Sequence, residues 1–214
     1  MAELKIDLYT EITCPWCIIG QFRLDKALSK RFPELEFDIE HHPVILLPTC
    51  PPQGILIVDL LRSRYGVTDP NAAWARPHAE ARASGLALDL SRQGYAYPTE
   101  RAHTLIRHAR AFGTQHLLAA ALAAAYFHEG HNISDAQFLA ELAKEYGFKK
   151  SDALQIVLDP AEIAATQREA ANAASIGIRS VPHFAFGTQI SLNGGRSEDE
   201  LERGLRAALE IAAA

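Results

Sequence analysis

Cysteine is scarce in this chain: three residues in 214. A secreted scaffold stapled by disulfides needs more of them, in even number, so that class is excluded. Long apolar runs are missing as well. The longest, residues 117–127, is mostly alanine and is bounded by His116 and His128. A membrane-spanning helix needs about 20 apolar residues, so no membrane association is expected. Runs of Lys and Arg are absent and the net charge is −5. A nucleic-acid partner, which demands cations along a phosphate track, is therefore not expected. The opening residues mix charges and lead into no apolar core segment. No secretory leader is read there, unless the sequence is that of a processed form, and a cytoplasmic location is expected. What remains is an ordinary globular balance, 48% hydrophobic and 22% charged, without internal repeats.

The patterning changes twice along the chain. Residues 5–12 alternate and read as a strand; residues 16–31 repeat apolar positions at helical spacing; residues 36–41 alternate again. The opening is thus β-α-β. A proline-rich connector follows at 42–54. Helical candidates then succeed one another at 55–65, 71–84 (broken near Pro77), 99–112, 114–128, 134–146 and 151–158. Ser134 and Gln137 are placed as a capping pair, and no strand is read in this stretch. Asp159-Pro160 opens another helix that runs to Gly177. Two short strands at 183–186 and 189–192 and a final helix capped by Ser197 and Glu200 complete an αββα close. The expected class is α/β, with residues 1–54 and 159–214 forming one domain and 55–158 an all-helical insertion.

The chemistry-bearing element is Cys14-Pro15-Trp16-Cys17, at the junction of the first strand and first helix. Thiol–disulfide exchange needs one thiolate that attacks and a second thiol that resolves the mixed disulfide. Two intervening residues on a starting helix bring both sulfurs within reach. The helix start offers N–H groups that favour a Cys14 thiolate, so Cys14 is expected to attack and Cys17 to resolve. A zinc half-site and a pair of inert buried cysteines are the alternatives. Zinc needs two further ligands at suitable spacing, and no second paired motif supplies them, so no metal is expected.

Three segments carry a resemblance. Thr13-Cys14-Pro15-Trp16-Cys17 runs on into Ile18-Ile19-Gly20. Ser180-Val181-Pro182-His183-Phe184 stands far downstream. Between them lie Ala83-Ser84-Gly85-Leu86, Pro98-Thr99, Ala102-His103 and Ala125-Tyr126-Phe127-His128-Glu129-Gly130. Together they resemble the DsbA-like branch of the thioredoxin superfamily, in particular its FrnE-type cytosolic relatives. The resemblance implies a thioredoxin fold with the helical insertion, and a cis Val181–Pro182 bond facing the cysteines. It also implies a redox-active Cys14–Cys17 centre acting on protein or peptide thiols and disulfides, with no bound cofactor and with glutathione as a candidate co-substrate. Pro182 then joins the two cysteines as a catalytic position. Pro15, Trp16 and the backbone of Val181 become candidate substrate contacts. The buried acid that thioredoxins commonly hold six residues before the first cysteine is Leu8 here. Glu11 and Asp7 are the nearby candidates for proton transfer, with a solvated strand-end charge as the other reading of Glu11.

The chain also resembles the chromene-carboxylate isomerases and kappa-class transferases, which activate glutathione and typically carry serine where Cys14 stands. A glutathione-dependent isomerase or transferase is therefore the competing function, and a chaperone-like binder a third. Among other residues, Cys50 is read as a spare, partly buried thiol. His41-His42 and the His128/His131 pair are read as solvated. His103 is placed at a core edge, Trp74 in the core, and Trp16 exposed beside the sulfurs.

Overall fold

The structure is a computed structural model that describes residues 4–213; the first three residues, part of the segment in which no leader is read, lie outside it. Strand β1 (Leu4–Thr10) turns Leu4, Ile6 and Leu8 to one face and Lys5, Asp7 and Tyr9 to the other, as the two-residue period of a strand requires. Helix α1 (Pro15–Arg31) starts immediately after Cys14. Pro15 occupies its first turn, where a missing N–H forfeits no helical hydrogen bond. Strand β2 (Phe37–Pro43) returns parallel to β1.

A long excursion follows: β3 (Ile55–Leu56), α2 (Ile57–Tyr65), α3 (Pro70–Ser84), β4 (Tyr95–Ala96), α4 (Glu100–Ala109), α5 (Gln115–Phe127), α6 (Ala136–Ala143) and α7 (Lys150–Leu158). The chain then closes with α8 (Pro160–Ser175), β5 (His183–Phe186), β6 (Ile190–Asn193) and α9 (Glu198–Ala212). The sheet order is β2-β1-β5-β6, with β5 antiparallel to both of its neighbours. This is a mixed α/β thioredoxin fold.

Two apolar cores hold it. In the first, Leu4, Ile6 and Leu8 pack with Leu24 of α1, Phe184 and Phe186 of β5, and Leu205 of α9. In the second, Leu105, Leu118, Leu122 and Leu139 interlock among α4, α5 and α6. Each such side chain contributes about 1.5–3 kcal/mol when fully buried. The strand–helix junction belongs to both. Leu8 sits in the first core, while Ile12 is buried in the second and Ile18 packs against it. The cysteines are therefore fixed where the two cores meet. Arg23, nearly buried on α1, ties α3 to the turn before α9: it donates to Ser84 Oγ (2.7 Å), to Glu80 Oε2 (2.6 Å) and to the Arg196 carbonyl (3.0 Å).

Several local expectations are corrected. Residues 55–158 are not all helical, because β3 and β4 pair antiparallel. Two-residue strands are too short to show a period. Helix α3 runs through Pro77 without a break. At α6 the cap is Asp135, whose carboxylate accepts from the N–H groups of Gln137 and Phe138, while Ser134 Oγ donates to Asn132 Oδ1. The box of Ser197 and Glu200 at α9 is present as read. His41 and His42 are not solvated. His41 is buried and joined through Nε2 to His116 Nδ1 (2.8 Å), whose Nε2 meets Asp25 (2.7 Å).

His42 links three elements, with Nε2 on Asp7 of β1 (2.7 Å) and Nδ1 near Glu169 of α8 (3.2 Å). Burial opposes its charge, but the hydrogen bonds its ring donates to these two carboxylates outweigh that, and its pKa is raised above the ordinary 6.5. A raised folded-state value stabilises the fold fully below about 6.5, and the contribution is lost as pH rises through the folded value. His42→Asn should therefore cost more stability near about pH 6 than near about pH 9 in urea denaturation. Equal losses at both would show that the charge on His42 does not contribute.

Candidate active site

Cys14 is the N-cap residue of α1. Its N–H donates to the Glu11 carbonyl (3.1 Å), and its own carbonyl accepts from Cys17 N–H (2.9 Å). No acidic side chain occupies the first turn of α1. The Cys14 thiol is shifted towards the thiolate, first by a hydrogen bond from the Cys17 thiol and then by the Cys17 and Trp16 N–H groups, against the opposing effect of burial. Cys17 moves the other way. Burial and its bond to Cys14 hold its proton on, although its sulfur accepts from Glu11 N–H at 3.5 Å. Both cysteines are unpaired with each other as thiols, as is Cys50. Both cysteines are largely shielded, with Cys14 at 9% exposure against 4% for Cys17.

The Val181–Pro182 peptide bond is cis. Pro182 lies against α1 at Gly20, where an added Cβ would fall 2.7 Å from Pro182 Cγ and 3.0 Å from Phe184. Glycine at this position lets the proline-bearing turn approach the cysteine helix. Cys14, Pro15 and Trp16 also line a cavity of about 450 Å³ roofed by α2 and α3. Its walls are mainly apolar, with Leu60 and Leu61 of α2, Trp74 and Pro77 of α3, and Tyr126 and Phe127 of α5. Trp74 is half-buried and divides its contacts between this cavity and the helical core. Trp16 is half-buried rather than exposed. Its ring lies under the Arg76 guanidinium (5.1 Å) and so close to Gly195 that a Cβ there would meet it at 2.6 Å.

Beneath the cysteines sits Glu11, only 1% exposed. Its carboxylate accepts from Thr13 N–H (3.3 Å), Leu46 N–H (3.0 Å) and Thr99 Oγ1 (3.2 Å). His103 Nε2 approaches to 3.6 Å. Glu11 is thus a buried acid and not a solvated strand end. Its negative charge opposes ionisation of Cys14, Cys17 and Cys50.

Comparison with known proteins places this architecture. A protein-family model described as "DSBA-like thioredoxin domain" matches residues 5–206. The chain belongs to the DSBA-like thioredoxin domain family. One relative, the uncharacterised protein YwbO of Bacillus subtilis, is 23% identical over 94% of this chain and 96% of its own. Among solved structures, the "probable DsbA oxidoreductase SCO1869" from Streptomyces coelicolor superposes with a TM-score of 0.86 at 24% identity, covering 97% of this chain and 91% of its own. A 2-hydroxychromene-2-carboxylate isomerase gives 0.69 at 15% identity, over 98% of this chain and 96% of its own. The cytosolic disulfide reductase DsbM from Pseudomonas aeruginosa, solved with GSH, gives 0.67 at 18% identity, over 96% and 99%. At these identities the structural likeness shows the fold.

Within this DSBA-like domain the remaining candidates separate. Asp7 points to the α8 face of the sheet, opposite Leu8 and the cysteine helix, and is engaged by Lys5 (2.9 Å) and His42. Asp7, Glu40 and His42 bring ligand atoms within 4.8 Å of one another. Lys5 already bridges the two carboxylates, and both ring nitrogens of His42 face acids, so the cluster is an ion-pair network. Cys50 is half-buried, its Sγ 3.5 Å from the Ala96 carbonyl, and burial raises its proton affinity. His103, read at a core edge, is 3% exposed and faces Glu11. The sequence had no signal for that contact.

Small-alkylator labelling of the reduced DSBA-like domain at mildly acidic pH should modify Cys14 first, because only its thiol is shifted towards the thiolate. Faster modification of Cys17 or Cys50 would reverse the assignment. Gly20→Ala should disturb the Pro182 turn and cost about 1–3 kcal/mol in thermal or chemical denaturation, the range for overpacking. An unchanged midpoint would show that α1 and the turn can separate freely.

Proposed function

We propose that this protein is a thiol–disulfide oxidoreductase that exchanges its Cys14–Cys17 dithiol or disulfide with protein or peptide substrates in the cytoplasm. The observation that carries the reading is the opposite bias of the two thiols: Cys14 shifted towards the thiolate at a helix start, Cys17 held protonated beside it. In the reductive direction, Cys14 attacks a substrate disulfide and one substrate sulfur leaves as thiolate. Cys17 then attacks Cys14 Sγ, frees the second substrate sulfur and closes the Cys14–Cys17 disulfide. Two electrons pass from the dithiol to the substrate. The reverse sequence oxidises a dithiol, and neither direction needs a bound cofactor.

Pro15 and Trp16 contact the substrate beside Cys14, and the apolar cavity takes an apolar group attached to the substrate sulfur. Pro182 and the backbone of Val181 flank the other side, where Val181 offers strand-like pairing to an extended peptide. Glu11 accepts the proton that Cys17 must lose. Asp7, on the other face of the sheet, is not part of this path. Glutathione, present in the structure of the similar DsbM, is the small thiol best suited to return the disulfide to the dithiol.

The likeness to the chromene-carboxylate isomerase and the small-molecule scale of the cavity favour a second reading, glutathione-dependent isomerisation or transfer. The presence of both thiols favours exchange. Replacing the resolving thiol separates the two. Cys17→Ser should accumulate mixed disulfides on Cys14, visible by non-reducing electrophoresis and mass spectrometry, because a hydroxyl is a far weaker nucleophile than a thiolate. Cys14→Ser should accumulate none. Equal adducts on both variants, traced to Cys50, would overturn the reading. Isomerase or transferase turnover in a variant lacking both thiols would support the second one.

A further inference from the structure

We propose that His103, delivered by the helical segment, is the relay partner through which Glu11 takes up and returns the proton of Cys17. The inference rests on the redox reading above and adds a residue to it. Glu11 is tied to Cys17 through the backbone, since its N–H donates to Cys17 Sγ. Three donors converge on its carboxylate from three separate places: Thr13 beside the cysteines, Leu46 in the connector and Thr99 before α4. The remaining approach is filled by His103 of α4, with Nε2 3.6 Å from Glu11 Oε1.

His103 Nε2 is buried and has no hydrogen-bond partner among the described residues. Leaving a buried polar atom unpaired is costly, so such an atom aimed at a carboxylate calls for a role. A contraction of a few tenths of an ångström brings the pair within hydrogen-bond reach. The other ionisable groups around the pair are otherwise committed. His41 of β2, its proton affinity lowered chiefly by burial, engages His116. The Tyr126 hydroxyl of α5 donates to the Tyr95 carbonyl (2.9 Å). Cys50 of the connector turns its sulfur to the Ala96 carbonyl, and the thiols of Cys14 and Cys17 are hydrogen-bonded to each other.

The step is balanced as follows. A substrate R–S–S–R has reacted with Cys14, leaving R–S–S–Cys14. The Cys17 proton passes to the Glu11 carboxylate, and the Cys17 thiolate attacks Cys14 Sγ. The S–S bond between the substrate sulfur and Cys14 Sγ breaks, R–S⁻ leaves with the electron pair, and the Cys14–Cys17 bond forms. The substrate disulfide is the oxidant. His103 Nε2, buried and free of other partners, takes the proton on from the Glu11 carboxyl group and later returns it; without it the proton would be stranded in a site that exposes 4% of Cys17.

A coloured aromatic disulfide, dithionitrobenzoate, reads both chemical steps in a Cys50→Ser background. Reduced protein releases a first thiolate when Cys14 attacks and a second when Cys17 resolves. His103→Gln should leave the first phase unchanged, slow the second by about tenfold or more, and flatten its dependence on pH. A second phase with wild-type rate and pH profile would overturn the proposal. So would equal slowing of both phases together with a lower melting temperature, the mark of a purely structural role. Absence of a second phase in the wild type would instead overturn the redox reading. Should His103→Gln fail to fold, nitrogen NMR of the labelled histidine rings decides on the wild type. The His103 ring signals should change protonation between dithiol and disulfide forms, and constant signals would overturn the proposal.

Discussion

A thiolate in a nearly dry site needs a substitute for water, and here the start of α1 supplies it. Cys14 is 9% exposed, yet the N–H groups of Trp16 and Cys17 and the Cys17 thiol all turn towards its sulfur. Favourable charge at a helix start is worth about 0.3–1 kcal/mol when exposed and up to about 2 kcal/mol when partly buried. That leverage exists only if the helix start cannot drift. The two cores provide this restraint, with Leu8 anchoring the strand on one side and Ile12 and Ile18 on the other. The bias of Cys14, the shielding of Cys17 and the close approach of the Pro182 turn at Gly20 all follow from one fixed junction.

The helical segment does more than roof this junction. It supplies the Trp74 and Pro77 wall of the cavity through α3. It also supplies two of the groups around Glu11: Thr99 at its hydroxyl distance of 3.2 Å, and His103. An acid on the strand–helix turn is thus enclosed by residues nearly ninety positions away in sequence. The excursion and the site are therefore one physical unit, whatever chemistry the substrate brings.

Local chemistry made much of this readable in advance. The Cys14-Pro15 start of α1, the Asp159-Pro160 start of α8 and the box at Ser197 depend on neighbours within four residues. What stayed hidden depends on distant partners. Glu11 reads either as a proton-transfer candidate or as a solvated strand-end charge until Leu46, Thr99 and His103 are brought to it and enclose it. His41 and His42 look solvated until His116, Asp25 and Glu169 close over them. The pair β3–β4 is too short for any period to show, and Asp135 outcompeted Ser134 as a cap because its carboxylate reaches two N–H groups at once.

The central claim is that Cys14 and Cys17 form a reversible redox couple. It is tested most directly by equilibrating the protein in buffers that step through the ratio of reduced to oxidised glutathione and mapping the products by peptide mass spectrometry. The account predicts a single reversible transition in which two hydrogen masses are lost and one peptide linkage, Cys14 to Cys17, appears. Retention of both thiols across the series, or a linkage that runs through Cys50, would contradict it.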